Sequence, residues 1–384
     1  MAYPIPVVTK DTAAQTLGQL YLNIMRSAEP PACTEPTLVL TLPTAWANKY
    51  QILLYSGAAR HGCAVAGVTT PDDLAHVHWP GPIILHTHWF AALFQRAMNP
   101  QEAQTRLDRI KTAIEDFHAR TGARLIWTAH NIFPHGNTQP VAFLALRQWI
   151  CERFHAMHIM QDDHLPLLEQ AFDRKAPHSF TVPHMLYSGS LPTGVEKATA
   201  RAHFGLPMAS TVFGYFGSIQ GYKRIPSILD AVEQVPMNHK VHVLLGGLPT
   251  EAGALNALHA KAASRRDVTL LPRKIQDHEV QYLHAASDVM VLPYAQTLNS
   301  GAAMMAATFK TPFLMPCSTA TAALRPLGGD LYDGTDPAGL AQAMTGYADG
   351  NRTPPAIDAE AWEARQPAVV SDRFFAALKS LPAP

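Results

Sequence analysis

Cysteine is scarce. Four residues (Cys33, Cys63, Cys151, Cys317) are spread over 384 without a CxxC pair. A disulfide framework or zinc–thiolate site is therefore not expected, and a reducing cytoplasm is. Net charge is missing too: Lys+Arg and Asp+Glu each total 30. A general nucleic-acid binder needs an excess of Lys and Arg to neutralise phosphate, so that class is set aside. No apolar run approaches the ~18 residues of a membrane span. The first nine residues lack the basic patch and apolar core of a signal peptide. No internal repeat of roughly 20–50 residues is visible. Charged residues are only 16% against 47% apolar, a globular balance, and the length suits two domains of ordinary size. What is plentiful is unusual: 19 His and 31 Pro.

Strand-like and helix-like segments alternate along the chain. A helix over 11–26 puts Ala13, Leu17, Leu20, Tyr21 and Ile24 on one face, with Asp11 as its N-cap. After the Pro-rich break at Pro30, Pro31 and Pro36, the run 38–42 reads as a buried strand. A helix over 50–60, strands at 63–68 and 83–85, a helix over 104–120 and strands at 124–128 and 157–160 follow. Residues 184–194 are loop-like, and the alternation then restarts. Strands are expected at 212–216, 241–245, 268–271, 288–292 and 313–315, between helices at 196–204, 226–235, 251–263 and 277–286. A last short helix covers 371–379. This alternation predicts an α/β chain of two doubly wound, Rossmann-like halves. Ligands of such sheets bind beyond the carboxyl ends of the strands, so the cleft between the halves is the expected site.

Two loops of the second half suit an anion. After Val291 the chain runs through Tyr294 to Asn299-Ser300-Gly301, which opens an Ala/Met-rich helix. The first amides of a helix lack intrahelical acceptors and carry its positive dipole end, a place for a diphosphate. The same Ser300 is equally readable as an ordinary N-cap. The second loop, Gly217-Ser218 with Lys223-Arg224, follows the strand at 212–216. Lys223 is a compact cation able to neutralise phosphate without a metal; Arg224 either helps or faces solvent. The pattern matches neither GxGxxG nor a Walker loop.

In the first half, strands end in histidines. His86-Thr87-His88-Trp89 echoes His76-Val77-His78-Trp79 upstream, and His130-Asn131 ends the strand at 124–128. Histidines two apart share a strand face, so His86 and His88 could act as metal ligands, as core hydrogen-bonders or as substrate contacts. With no Cys or paired carboxylates near in sequence, no metal is expected. His130, at a strand tip, is the first choice for a general base, with His88 second. Trp89, Phe90, Leu93 and Phe94 form an apolar cluster, readable as core or as a lipid contact.

Taken in order, these residues resemble a GT-B glycosyltransferase. The landmarks are Asn48-Lys49-Tyr50, His86-x-His88-Trp89, Thr128-Ala129-His130-Asn131 with Pro134-His135, and Pro183-His184. They continue with Ala200-Arg201, Leu206-Pro207, Phe216-Gly217 with Tyr222-Lys223, Ser287-Asp288-Val289, and Leu292-Pro293-Tyr294 with Asn299-Ser300-Gly301. The chain is most similar to the xanthan-type exopolysaccharide β-mannosyltransferase family, which uses GDP-mannose and a lipid-linked oligosaccharide. There are departures. The Glu-x7-Glu motif of retaining GT-B enzymes is absent, with Thr297 and Met305 at its positions. Ser218 stands where an Arg is expected, and Phe90-Ala91 follow Trp89 where the xanthan-type enzyme has Pro-Glu.

The resemblance implies two Rossmann-like domains facing across a cleft: an acceptor-binding domain over 1–188, a nucleotide-sugar domain over 189–365, and a helix over 366–384 packing back on the first. It implies transfer of a hexose, mannose favoured, from a nucleoside diphosphate sugar to a lipid-linked oligosaccharide, with inversion, no metal and no cofactor. Gly217, Ser218, Lys223, Arg224, Tyr294, Asn299, Ser300 and Gly301 would hold the donor; Asn48, Tyr50, His86, Trp89 and Asn131 would hold the acceptor. The expected location is cytoplasmic, at the inner face of the inner membrane by peripheral contact. Three alternatives stay open: a UDP-sugar glucosyl- or glucuronosyltransferase, a non-catalytic nucleotide-sugar-binding protein, and a non-hydrolysing sugar-nucleotide epimerase. The epimerase would form product from the donor alone.

Overall fold

A computed structural model of the chain describes residues 5–27, 35–45, 48–94, 98–134, 136, 139–294 and 297–382. Pro30, Pro31, Cys33 and His135, named above, lie outside those residues. Two parallel six-stranded sheets organise the chain. In the first, β1 (Thr37–Leu42), β2 (Cys63–Gly67), β3 (Ile83–Thr87), β4 (Arg124–Thr128), β5 (Ala156–Ile159) and β6 (His178–Thr181) lie in the order β2-β1-β3-β4-β5-β6. In the second are β7 (Thr211–Phe216), β8 (Val241–Gly246), β9 (Val268–Leu271), β10 (Val289–Val291), β11 (Phe313–Pro316) and β12 (Gly329–Tyr332). Their order is β12-β11-β10-β7-β8-β9. Strand sequences such as Thr37–Leu42, buried at five of six positions, are near-continuous apolar runs because helices cover both faces of a parallel sheet.

The chain divides into two compact units, Met1–Met185 with Pro367–Pro384, and Leu186–Gln366. The last helix, Pro367–Ser380, is part of the first unit. Its Ser371 hydroxyl donates to the Leu54 carbonyl (2.6 Å) and accepts from the Gly57 amide (2.8 Å), and Phe374 and Phe375 are fully buried. Each sheet has a point where strand order reverses: between β1 and β3 in the first, between β7 and β10 in the second. Open α/β sheets leave a crevice there at the carboxyl ends. Among the described residues, no helix is long and apolar enough to cross a membrane.

Local differences from the sequence expectations have physical causes. The first helix begins at Ala13, and its entry is closed by the Thr9 and Thr12 hydroxyls (3.0 Å apart) rather than by Asp11. The helix expected over 50–60 is a six-residue helix, Lys49–Leu54, followed by a 3-10 turn, Ala58–His61, with Gly57 between them. The segment 288–292 forms a three-residue strand, Val289–Val291, and the residue before it, Asp288, is anchored through its side chain. Its Oδ2 accepts from Arg201 Nη2 (2.6 Å) and from the Val212 amide (2.7 Å). Arg201 is 1% exposed and also donates to the Ala286, Pro207 and Met208 carbonyls. The landmarks Ala200-Arg201, Leu206-Pro207 and Ser287-Asp288 thus meet in one structural clamp that ties the helix Lys197–Phe204 to the start of β7.

Candidate active site

In the second unit the two anion-suited loops follow β7 and β10, the neighbouring strands at the switch point. The β7 loop holds a buried lysine. Lys223 is 8% exposed; its Nζ donates to Ser218 Oγ (3.0 Å) and lies 5.8 Å from the Tyr222 ring centre and 5.6 Å from that of Tyr294. Among the described residues it makes no ion pair with a carboxylate. Burial pushes its pKa down to about 8, because the ammonium has lost water without gaining a counter-charge. Gly217, with φ 149, lets the loop turn under this ammonium: a Cβ there would stand 3.1 Å from Nζ. Arg224 ends the turn Gly221–Lys223 in the left-handed region (φ 49) and is exposed.

Tyr294 joins the loops. Its ring lies beside Lys223 and 6.2 Å from that of Tyr222, and its hydroxyl is hydrogen-bonded to Ser300. Ser300 Oγ also accepts from the Ala303 amide (3.1 Å), so it is the N-cap of the helix Gly301–Thr308. Of the two readings of Ser300 the cap is therefore realised. A Cβ on Gly301 would fall 3.0 Å from Tyr187 Oη. Asn299 is half-buried, and its carbonyl accepts from Thr297 Oγ1 (2.8 Å). Thr297 and Met305 stand where glutamates are absent, and Met305 is buried.

Gly247, which no motif signalled, is what lets the β7 and β8 loops touch. A Cβ there would sit 1.7 Å from the Gly217 carbonyl oxygen, and the Gly217 amide donates to the Gly246 carbonyl (3.1 Å). Backbone cannot yield as a side-chain tip can. Gly247→Ala is expected to destabilise the protein by about 1–3 kcal/mol, the range for overpacked sites, and to displace Gly217 from under Lys223. The denaturant midpoint, and the loss of any nucleotide-induced thermal shift, measure both effects.

In the first unit, register gathers the histidines on one sheet face. His86 pairs with Ile126 and Thr128 with His158 in the parallel ladders, so His86, Thr128 and His158 face the same way, and His88 follows two residues on. His86 Nδ1 and His88 Nε2 each lie 2.8 Å from Tyr55 Oη. His86 Nε2 is 2.6 Å from Thr128 Oγ1, which is 3.0 Å from His158 Nδ1. His88 Nδ1 is 3.0 Å from His130 Nε2. Burial, then the charges of their histidine neighbours, hold His86, His88 and His130 well below the usual imidazole range; Arg147 adds to this at His130. Burial brings His158 down to about 4. All four are therefore neutral.

These contacts revise several roles. His86 is fully enclosed with both nitrogens bonded, so it cannot touch an acceptor. His88, at 1% exposure, is likewise bonded at both nitrogens and links Tyr55 to His130 rather than meeting substrate. His130 is the outermost of the set, at 9% exposure. Trp89 is half-buried and stacks on it, with centres 4.1 Å apart at 21°. Tyr50 is buried, its ring edge-on to His130 (4.9 Å) and His184 (5.0 Å). Asn48 Oδ1 accepts from the Tyr50 amide (3.0 Å) as a helix cap, and Asn131 is half-buried beside His130. Phe90 is core, and Phe94 packs on Phe143. Among the described residues, no three His, Cys, Asp or Glu side chains are grouped so as to hold a metal ion.

Sequence reasoning missed Tyr55, His158 and Arg147. Arg147 is 4% exposed on the helix Pro140–Arg153, stacked 4.3 Å over Trp127, with its pKa brought down by burial to about 9. Its only advance signal was a charge amid an otherwise apolar helical stretch.

No family model matches the chain. It is 24% identical over 333 residues to the GDP-mannose:glycolipid 4-beta-D-mannosyltransferase of Xanthomonas campestris pv. campestris, a match spanning 84% of this chain and 86% of that protein. Among solved structures it is similar to Anabaena HepE in complex with UDP-glucose (TM-score 0.67, 15% identity, 90% of this chain and 100% of that one). A glycosyltransferase from Rickettsia africae gives a TM-score of 0.63 at 9% identity, over 91% and 99% of the two chains. Sucrose-phosphate synthase from Thermosynechococcus elongatus gives 0.57 at 15%, over 89% and 94%. Two parallel six-stranded sheets in these orders and the likeness to these solved structures give the chain the GT-B fold, and most of its sequence is similar to that of a mannosyltransferase.

Proposed function

We propose that the chain moves a hexose, mannose first, from a nucleoside diphosphate sugar to a hydroxyl of a lipid-linked oligosaccharide in exopolysaccharide synthesis. The observation that carries this reading is Lys223: a buried ammonium without a carboxylate partner among the described residues, beside the switch point of the second sheet. A diphosphate is the counter-charge such a group lacks. In the reaction the acceptor oxygen bonds to the anomeric carbon as the bond to the diphosphate breaks. Lys223 and the backbone at Gly217 and Gly301 stabilise the charge that develops on the leaving group, in the place a metal ion would otherwise take. His130 receives the acceptor proton. Direct attack of this kind inverts the anomeric configuration. The absence of glutamates at Thr297 and Met305 supports a chemistry different from that of the retaining enzymes.

Mannose and a glycolipid acceptor are favoured by the likeness to the GDP-mannose:glycolipid enzyme. A uridine donor is favoured instead by the likeness to HepE, solved with UDP-glucose. Membrane contact would be peripheral. A thermal-shift panel of GDP, UDP, ADP and their sugars separates these readings. The true donor at 100 times its Kd should stabilise the fold by about 2.7 kcal/mol, and the wrong bases should give little. Stabilisation by none of them would end the proposal, whereas tight binding without transfer to any lipid-linked acceptor would identify a non-catalytic binder.

A further inference from the structure

The helix Pro140–Arg153 carries a buried cation that the reaction above does not use. This helix follows β4, so its first turn lies at the carboxyl end of that strand, and a long helical side chain leans back towards the N-terminus. Arg147 accordingly reaches the loop after β4, where its Nε donates to the Ile132 carbonyl (3.3 Å), two residues on from His130. One flat face of the guanidinium is covered by the Trp127 ring, 4.3 Å away. The ring and the Ile132 bond fix the plane of the fork and leave its Nη edge as the part able to bind.

That edge is short of partners. Nη1 is enclosed and meets no acceptor, and among the described residues Arg147 makes no ion pair with a carboxylate. Burial lowers its pKa, and the neighbour that offsets this is the Cys151 thiol, which burial pushes up to about 11 and so keeps uncharged. A guanidinium holds its proton at neutral pH, so the first unit, like the second, contains a buried positive charge without a counter-charge. A buried charge left unpaired is strongly destabilising, which points to an anion from outside the chain. Shape sets the class: two Nη groups in one plane match two oxygens of a carboxylate or a phosphate. Position sets the source. His130, held down first by burial and its histidine neighbours, also feels the Arg147 charge, so an anion at the fork belongs to a molecule lying at His130.

Resting on the reading of His130 as the base that meets the acceptor, we propose that the Nη edge of Arg147 is an oxyanion subsite of the first unit, which takes a carboxylate or phosphate group of the acceptor and so holds the attacking hydroxyl at His130. The subsite binds a part of the acceptor away from the reacting atoms. It is separate from Lys223, which belongs to the other compact unit.

The test first blanks the donor site with Lys223→Met, then compares phosphate and acetate with chloride at equal ionic strength by thermal unfolding of the full chain. One of the two oxyanions, at ten times its Kd, should raise the midpoint by about 2–4 °C. Adding Arg147→Met should abolish the rise without lowering the midpoint in chloride, since an apolar chain replaces an unpaired charge. Arg147→Lys, with the charge but no fork, should keep only part of it. No rise over chloride overturns the subsite even if no Arg147 variant folds, as does a rise that survives Arg147→Met. In transfer assays, Arg147→Met alone should raise the acceptor KM about 10- to 100-fold, the scale of a hydrogen bond to a charged group, with the donor-induced thermal shift as in the wild type. A carboxyl-reduced acceptor with the same rise in KM assigns the anion to an acidic sugar; a glycan freed of its lipid phosphate with that rise assigns it to the phosphate. An unchanged acceptor KM in Arg147→Met overturns the proposal. An Arg147-dependent anion shift in a protein that transfers no sugar would keep the subsite and remove the acceptor as its occupant.

Discussion

Lys223→Met should lower kcat/KM for the nucleotide sugar by about 10³-fold, the scale of losing a charge-stabilising group at a reacting centre, while making the free protein more stable. The two effects have one cause. Burial holds Lys223 at about 8, below its ordinary 10.5. A lysine so depressed is a burden at neutral pH: folded and unfolded chains both carry the proton, and only the folded one carries it out of water. As pH rises from about 8 towards 10.5 the folded chain sheds its proton first, so this burden fades and stability rises with pH across that window. A shift of this size corresponds to about 3 kcal/mol. Methionine removes the burden but also the Ser218 hydrogen bond and the contacts with the two tyrosine rings. A net gain of about 1–2 kcal/mol is expected after those losses.

The same depression makes donor binding take up protons. A diphosphate against the ammonium should raise its pKa again, so above pH 8 the complex binds a fraction of a proton that the free protein lacks. Calorimetric titrations in two buffers of different ionisation heat read that uptake directly. Wild-type donor affinity in Lys223→Met, with no proton uptake in the parent, would show that the ammonium faces no phosphate.

His130→Ala is the second large effect, and its signature is the opposite one. Loss of a positioned general base should lower kcat by about 10²- to 10⁴-fold. Nucleotide binding should be untouched, because Gly217, Ser218, Lys223, Tyr294 and Ser300 all belong to the other compact unit. The thermal shift produced by donor should therefore match that of the wild type in His130→Ala and vanish in Lys223→Met. A kcat within about threefold of wild type would assign the proton to another group.

Much of the fold was legible because parallel strands announce themselves locally. The apolar runs at 38–42, 212–216 and 268–271 are strands in the structure, and the helix Asp277–Ala286 lies where its periodicity placed it. Less legible were elements whose burial erases periodicity. The helix Pro140–Arg153 buries Ala142, Phe143, Leu146, Arg147, Trp149 and Ile150, so no clean apolar stripe marks it. The site divides in a similar way. That Lys223 could serve as a cation was readable from its loop; that it is buried without a carboxylate was not, since this depends on Tyr222 and Tyr294 closing over it. His86 and His88 were readable as sharing a face, yet their enclosure comes from Tyr55, Thr128 and Phe374, which lie 31 to 42 or more residues away along the chain.

The sequence alone determines the alternation of strand and helix, the lack of net charge and of a spanning helix pattern, and which residues share a strand face. All of these follow from neighbours within a few positions. Only the tertiary structure decides which strands lie side by side, and through them that β7 meets β10 at a switch point and that β3, β4 and β5 bring His86, Thr128 and His158 into one row. The physical reason is the reach of the forces involved. Backbone preference and side-chain period act over a turn or two, whereas a hydrogen-bond direction or an unpaired buried charge exists only once remote segments have excluded water from the same small volume.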